Sequence, residues 1–445
     1  MPWYGWYAVV MGVAAAVTAA SALPAAWIAR KTGYMAHPGD RTIHTKTTPY
    51  GGPAMFLGFL AAMMVAAGVQ RLHGLFAGSS EPLGVVVAAA AIFGVGLIDD
   101  AREMSAPAKI AGEILAASIL YFLGVTLYWF KVPLAHVVSL TPGVTPLIMA
   151  IVVIALTNAV NLIDGLDGLA AGVVAIGAGA LAVYGLRLME TGVLSSTNIG
   201  PLVAVIACGV CLGFLPFNFH PAKMFMGDAG ALLLGLLMSA STMVISGRIP
   251  PSSPTPGHTY FFFAPLLIPF FILGVPIVDM AFAFVRRTAR GTGFHTPDKD
   301  HIHHRLLRLG HGHRRSVVIL WTWTAILSGF ILFPLFVGAV NPFIPLGVGL
   351  LAVALFTWFH PDLRRRAERA QAGVARPRRS AAPGKGTDRR LESVRRRGGE
   401  WAAGGSPAPR AAATNGARPP QTVPGAPADP PRPSDRFAGG ADRME

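Results

Sequence analysis

The sequence has 445 residues, of which 53% are hydrophobic and only 13% are charged, and its mean hydropathy is +0.51. That balance excludes a soluble globular protein, because the apolar runs are repeatedly about as long as a bilayer is thick. The composition therefore predicts an all-α polytopic membrane protein. Cys208 and Cys211 lie close together in one apolar run with no second pair nearby, so we expect core residues rather than a metal site or a disulfide.

The formal net charge of +15 is concentrated at one end of the chain. Residues 361–445 are rich in Arg, Pro, Gly and Ala, hold about half of all Lys and Arg, and have too few aliphatic side chains to form a core. We therefore expect a transmembrane domain at 1–360 and a disordered basic tail at 361–445. Such a tail suits the anionic lipids of the inner leaflet, and we expect no nucleic-acid partner.

Polar breaks divide the first 360 residues into apolar runs. The first run has no basic segment before it and is too long for the core of a signal peptide, so we expect a retained span. The third and fifth runs look short, which predicts that their ends border a polar cavity. Together the runs predict about eleven transmembrane helices, near residues 5–28, 51–69, 84–98, 108–127, 146–160, 169–187, 200–215, 230–247, 261–285, 316–338 and 344–359.

Alternate loops between these spans fall on opposite sides of the membrane, and one set carries nearly all the Lys and Arg. By the positive-inside rule this set is cytoplasmic, which predicts an N-terminus outside and a C-terminus in the cytoplasm. The set comprises the tail and residues 30–50, 99–107, 161–168, 216–229 and 286–315.

The same loops hold the polar residue groups of the chain, which predicts one functional site at the cytoplasmic surface. Asp99 and Asp100 directly follow the third run, and Lys109 and Glu113 lie one turn apart on the fourth. The other groups are Arg41, His44 and Lys46 before the second run, Asn161, Asp164 and Asp167 after the fifth, Asn218, His220, Lys223, Phe225 and Asp228 before the eighth, and His301, His303, His304 and Arg305 before the tenth.

Residues 161–168 place two carboxylates and a carboxamide within an almost wholly apolar neighbourhood. On a helix, Asn161, Asp164 and Asp167 would share one face, which suits a hydrated divalent cation or a sugar-phosphate. The alternative is a capped helix end in which Asp164 or Asp167 is a turn residue. Two Asp and one Asn at the edge of a membrane span favour the functional interpretation.

Carboxylates that converge at one surface repel one another unless a cation or basic groups lie among them. Carboxylate-rich ligation without thiolates favours Mg²⁺ or Mn²⁺, and the histidine spacing does not match a zinc helix. Phosphate binding by His and Arg is the stronger interpretation of residues 301–305, with a solvated loop helix as the alternative. Phe225 suits either core packing or stacking on a nucleobase. Together these groups indicate phosphoryl transfer from a soluble nucleotide to a lipid.

Four motifs resemble the signatures of the polyprenyl-phosphate N-acetylhexosamine-1-phosphate transferases, the WecA/MraY-like glycosyltransferase family 4. They lie at residues 96–100, 158–169, 225–230 and 301–305, in the family's order. The resemblance implies an eleven-span fold in the cell membrane, a cytoplasmic active site and a lipid groove. It also implies that a polyprenyl phosphate attacks the β-phosphorus of a UDP-sugar and releases UMP.

The resemblance also implies roles for individual residues. Asp228 is implied as the Mg²⁺ ligand and Phe225 as the residue that stacks on uracil. Asn161, Asp164 and Asp167 are implied to hold the nucleotide-sugar, with both carboxylates in the metal shell. The residues implied to engage phosphates or other parts of the substrates are Lys46, Lys109, His301, His303, His304 and Arg305.

Asp99 and Asp100 are expected beside the lipid phosphate, with at least one of them essential. A general base and an electrostatic positioning role both remain open for this pair. Glu113 departs from the Gln that the family pattern shows at that position, and the first loop matches its family pattern only loosely.

The form of the histidine motif resembles the branch that uses UDP-GlcNAc. We therefore expect transfer of GlcNAc-1-phosphate to undecaprenyl or decaprenyl phosphate, as the first membrane step of a cell-envelope polysaccharide. The pentapeptide transferase of peptidoglycan synthesis is the alternative within the family, and a secondary transporter is the alternative from another class. A homodimer is the candidate assembly.

Overall fold

The computed structural model describes residues 4–36, 48–131, 137–249 and 313–337, together with positions 347 and 349. The predicted span at 261–285, all of 344–359 except positions 347 and 349, the basic tail, Lys46 and the His301–Arg305 motif lie outside the described residues. The boundary expected between residues 360 and 361 therefore stays a prediction.

Nine α-helices make up most of the described chain. They are α1 (Gly5–Thr32), α2 (Gly52–Gly68), α3 (Glu81–Ala101), α4 (Ala106–Phe122), α5 (Thr145–Ile163), α6 (Leu169–Glu190), α7 (Gly200–Asn218), α8 (Gly227–Ser246) and α9 (His313–Val337). A 3₁₀ helix covers Gln70–Leu75. Five of the helices carry proline in their first turn, where its missing N–H costs no hydrogen bond.

Each described helix coincides with one of the predicted apolar runs. Six of them, α1, α3, α5, α6, α7 and α8, are long and apolar enough to cross a bilayer, and α2 is apolar but has 17 residues. The chain is a mostly helical, multi-pass membrane protein. Contrary to expectation, the third and fifth spans are not short. Helices α3 and α5 have 21 and 19 residues, because each includes polar residues that flank the apolar run.

Two antiparallel hairpins join helices at opposite ends of the helical domain. Strands β1 (Met35–Ala36) and β2 (Thr48–Pro49) pair between α1 and α2, with Met35 opposite Pro49. Strands β3 (Trp129–Lys131) and β4 (Val137–Ser139) pair between α4 and α5, with Trp129 opposite Ser139. The first hairpin lies at the end of the described helices that carries Asp100 and Phe225.

Helix α8 is the central helix of the described core, and every residue from Ala229 to Ser246 is buried. It packs against α3, α5 and α7. Glycine permits two of these close approaches: a Cβ on Gly96 of α3 would lie 2.4 Å from Ala229 Cα, and one on Gly235 would lie 2.4 Å from Thr157 Cα. Backbones that approach this closely fix the ends of α3, α5 and α8 relative to one another.

Candidate active site

Asp228 is the polar centre of the described site. It lies in the first turn of α8, and its Oδ1 atom accepts hydrogen bonds from Lys109 Nζ at 2.7 Å and from Asn161 Nδ2. Lys109 also donates to Asp99 Oδ2 at 2.9 Å. One ammonium group thereby joins the end of α3, the start of α4 and the start of α8. The Asp228 side chain is 29% exposed, so the cluster remains open to a ligand.

Asp99 and Asp100 face different partners because successive residues on a helix point about 100° apart. Asp99 Oδ1 accepts the Met104 amide at 2.7 Å, and its other oxygen faces Lys109. Asp100 Oδ1 accepts the Asp228 amide at 2.7 Å, and its Oδ2 accepts the Ala229 amide at 3.1 Å. Asp100 therefore binds the N-terminus of α8, whereas Asp99 orients Lys109.

Asp164 lies directly after α5, facing the same cluster. Burial, together with the nearby carboxylates of Asp228 and Asp100, raises the pKa of Asp164 well above its ordinary value. A hydrogen bond from the Gly227 amide acts in the opposite direction but does not offset this rise. The described cluster thus sets four carboxylates, those of Asp99, Asp100, Asp164 and Asp228, against the ammonium of Lys109. Because four carboxylates outnumber one ammonium, this cluster favours the binding of a further cation.

Residues 161–168 do not form the single helical face that the sequence suggested. Helix α5 ends at Ile163, and a turn follows in which Gly168 has φ +78°, a conformation suited to glycine. Asn161 faces Asp228, but Asp167 is buried, and its Oδ2 meets His220 Nδ1 at 2.7 Å and accepts the Ala222 amide at 3.0 Å. Asp164 and Asp167 therefore lie in a turn and not on one helical face, and the substrate and metal roles of their side chains stay predictions.

Phe225 is held by its backbone against the segment that leads into α2. Its N–H donates to Pro49 O at 3.0 Å, and its carbonyl accepts from Gly51 N at 2.7 Å. Tyr50 and Phe225 form a parallel bridge, and the Phe225 side chain is half-buried. The nucleobase-stacking role of Phe225 stays a prediction.

Tyr34 is a site residue that the sequence did not indicate. Its hydroxyl donates to Asp100 Oδ2 at 2.6 Å, and its ring lies 5.0 Å from that of Tyr50. Burial, followed by the Asp100 charge, raises the pKa of both tyrosines, for Tyr50 to about 12, so both hydroxyls keep their protons at neutral pH. Nothing in the spacing relates Tyr34 to a carboxylate 66 residues later, so only the fold reveals the pair.

Glu113 is fully buried between α4 and α5, one turn beyond Lys109. Asn158 Nδ2 donates to both Glu113 oxygens, at 2.8 and 3.0 Å, and the Thr157 hydroxyl donates to one of them at 3.1 Å. Glu113 therefore has a structural role at this position. Glu113 joins the two helices that carry Lys109 and Asn161.

The donor chemistry of the cluster fits Mg²⁺ or Mn²⁺. Asp228 and Asp164 offer carboxylates at a partly open site, and Mg²⁺ binds through one or two carboxylates plus substrate phosphates. The described residues contain no group of three or more His, Cys, Asp or Glu side chains arranged to hold a metal ion. The third metal candidate, Asp167, instead has His220 and the Ala222 amide at its Oδ2, and its metal role stays a prediction.

The polar cluster lies at one end of the helices that carry it and not at their midpoints. Asp100 and Asp228 occupy the last turn of α3 and the first turn of α8, and Lys109 lies in the first turn of α4. A transporter of the kind considered from the sequence needs its charged groups near the membrane midplane. Fold and site together describe a membrane-embedded enzyme with a charged site at one membrane surface.

Residues 82–246 match the family described as Glycosyl transferase family 4, a stretch that includes Asp99, Asp100, Lys109, Asn161, Asp164 and Asp228. The decaprenyl-phosphate N-acetylglucosaminephosphotransferase of Mycobacterium tuberculosis (strain ATCC 25618 / H37Rv) is 38% identical over 319 residues, which cover 71% of this chain and 79% of that protein. The chain therefore belongs to glycosyl transferase family 4, and it is a transferase.

Two other relatives represent different branches of the family. The probable undecaprenyl-phosphate N-acetylglucosaminyl 1-phosphate transferase of Bacillus subtilis (strain 168) is 36% identical over 306 residues, 68% of this chain and 76% of that protein. The phospho-N-acetylmuramoyl-pentapeptide-transferase of Desulforudis audaxviator (strain MP104C) is 31% identical over 308 residues, 64% of this chain and 83% of that protein. The chain is thus more similar to the M. tuberculosis and B. subtilis proteins, both named for N-acetylglucosamine, than to this pentapeptide transferase.

Proposed function

We propose that the chain transfers GlcNAc-1-phosphate from UDP-GlcNAc to a polyprenyl phosphate, forming polyprenyl-diphosphate-GlcNAc and releasing UMP. The observation that carries this proposal is the cluster of Asp228, Lys109 and Asp99 within the stretch that matches the family. The choice of GlcNAc is supported by 38% identity to a relative named for N-acetylglucosamine, against 31% to one named for the muramoyl-pentapeptide.

In the proposed reaction an oxygen of the lipid phosphate attacks the β-phosphorus of UDP-GlcNAc. The bond from that phosphorus to the bridging oxygen breaks, and UMP leaves with that oxygen. A bound divalent cation would neutralise charge on the diphosphate during this step. Asp228 and Asp164 would hold the cation, and Lys109 would orient a phosphate oxygen from its position between Asp99 and Asp228.

Other candidate residues would complete the substrate contacts. Asn161 is one turn before Asp164 and would face the nucleotide-sugar together with Asp228. Phe225 would stack on uracil. The substrate contacts of Lys46, His301, His303, His304 and Arg305 lie outside the described residues and rest on the sequence alone.

We also propose eleven spans with the N-terminus outside and the C-terminus in the cytoplasm, so that the site faces the cytoplasm. The distribution of Lys and Arg among alternate loops supports this orientation. The basic tail would contact anionic lipids. A homodimer stays the candidate assembly.

The test is a donor competition with the full chain purified in detergent. Polyprenyl phosphate and Mg²⁺ are supplied with either UDP-GlcNAc or UDP-MurNAc-pentapeptide, and released UMP and the lipid product are measured. We expect UMP and a lipid-linked GlcNAc from the first donor only. Turnover of the pentapeptide donor alone would assign the chain to the peptidoglycan branch, and no turnover of either donor would reject both assignments.

A further inference from the structure

Helix α8 begins without a capping side chain of its own. Met226 occupies the N-cap position and makes no side-chain hydrogen bond to the first turn. The first N–H groups of a helix have no partner within the helix and need one from elsewhere. Asp100 supplies that partner from α3, because its carboxylate accepts the amides of Asp228 at 2.7 Å and Ala229 at 3.1 Å.

Tyr34 in turn fixes the carboxylate of Asp100. Its hydroxyl donates to Oδ2 at 2.6 Å, the length of a charge-assisted hydrogen bond between a hydroxyl and a carboxylate. The other described hydrogen bonds to Asp100 come from backbone amides. Within the described part of the chain, Tyr34 is therefore the side chain that joins these two amides in holding the carboxylate in place.

The first hairpin and the ring of Tyr50 contact the segment that carries Tyr34. Tyr34 directly precedes β1, its ring packs on Tyr50 at 5.0 Å, and β1 pairs with β2 just before Tyr50. The backbone of the same segment pairs with Phe225. This segment thus contacts the start of α8 in two ways. Its backbone pairs with Phe225, and Tyr34 contacts Asp100, which in turn binds the Asp228 amide.

We propose that Tyr34 is a positioning residue of the transfer reaction, which holds Asp100 against the first turn of α8 and thereby fixes the carboxylate of Asp228 beside Lys109. The proposal rests on the proposed function for the role of Asp228 in turnover. A small displacement of a group that orients phosphates lowers the rate even when the substrate still binds. The effect of Tyr34 should therefore fall on kcat rather than on KM.

The test substitution is Tyr34→Phe, which keeps the ring against Tyr50 and removes only the hydroxyl. In the full chain we expect kcat to fall about tenfold or more, the scale of a lost hydrogen bond to a charged group, with KM for UDP-GlcNAc changed less than about threefold. Amide hydrogen exchange over residues 226–232 should become faster, while exchange over residues 236–244 stays the same. Exchange is measured without substrate or metal, so this readout does not depend on the proposed function.

The matched control is Tyr121→Phe, which removes a hydroxyl bonded to Pro142 O at 3.2 Å near the other end of α4. We expect this variant to keep kcat and exchange. Unchanged kcat in Tyr34→Phe would overturn the proposal. A loss of kcat without faster exchange at 226–232 would also overturn it, because Tyr34 would then act on substrate directly. An inactive parent chain would reject the proposed function, and exchange alone would then decide whether Tyr34 holds α8.

Discussion

The Asp228 carboxylate on α8 accepts hydrogen bonds from Lys109 of α4 and Asn161 of α5. A substitution at this residue therefore tests the site directly. In Asp228→Asn an NH₂ group replaces one carboxylate oxygen, and the negative charge that faces Lys109 and suits a hard cation is lost, although the remaining oxygen can still accept hydrogen bonds. We expect turnover to fall about a hundredfold or more, with the thermal midpoint shifted by only a few degrees. UMP release across a Mg²⁺ titration measures the first quantity.

The unmodified chain titrated with Mg²⁺ and with Mn²⁺ is the reference for that experiment, and a zinc-selective chelator should leave its activity intact. Near-normal turnover and metal dependence of Asp228→Asn would show that the metal assignment is wrong.

Asp100 lies where the sequence left two roles open, a general base and a positioning group. The structure favours positioning, because both of its oxygens already accept hydrogen bonds. We expect Asp100→Asn to lower kcat about tenfold or more and to keep the same fractional defect from pH 7 to pH 9. The ratio of variant to parent rates across that range measures it. A defect that shrinks as the lipid phosphate ionises unaided would instead identify a base.

The sequence predicted which polar residues would lie close together better than it predicted their hydrogen-bond partners. Polar groups at the ends of apolar runs are costly without a partner or a function, which is why the sequence singled out Asp99, Asp100, Lys109 and Asp228. The bond from Tyr34 to Asp100 depends on how the first hairpin packs against α3. No local pattern encodes such a distant contact, so the hydrogen bond could not be predicted.

At the scale of helices, hydropathy located each described α-helix, although neither the two hairpins nor the 3₁₀ helix, because a membrane span must satisfy its own backbone within a long apolar run. Helix ends were less predictable. By composition, residues 161–168 could continue α5. In the structure α6 begins after Gly168, which has a positive φ, and the Asp167 carboxylate faces His220. The periodic spacing of Asn161, Asp164 and Asp167 was therefore misleading about a shared face.

The close approach of α3 and α8 provides a prediction at this scale. A Cβ on Gly96 would lie 2.4 Å from Ala229 Cα, which is backbone and cannot rotate away. Gly96→Ala should push the two helices apart beside Asp228, lowering the stability by about 1–3 kcal/mol and the turnover as well. Thermal unfolding in detergent and UMP release measure these two effects.

Gly94→Ala is the matched control on the same helix, since a Cβ there would meet nothing within 4 Å. We expect it to be neutral or slightly stabilising, because alanine is the better helix former. Equal effects of the two substitutions would show that helix contact at Gly96 does not hold the site.

Across the whole molecule, the two ends of the described helices differ in chemistry. At the end opposite Asp228, Arg248 pairs with Glu81 at 2.7 Å and donates to the carbonyls of Thr126 and Gly124. These contacts fasten the start of α3 to the segment after α8. One end of the α3 and α8 pair is thus joined by a structural ion pair, and the other end carries the partly open carboxylate cluster.

The basic tail is the part of the chain farthest in sequence from that cluster, and its removal tests whether one domain suffices for chemistry. Every candidate site residue precedes position 306, and residues 361–445 have too few aliphatic side chains to contribute a core. We expect truncation after Leu363 to leave turnover per folded molecule within a few-fold of the full chain in detergent. Retention on anionic vesicles should fall relative to neutral ones if the tail binds lipid headgroups. A loss of turnover as deep as that of Asp228→Asn would place the tail in the active site, because no lipid-binding role in detergent explains such a loss.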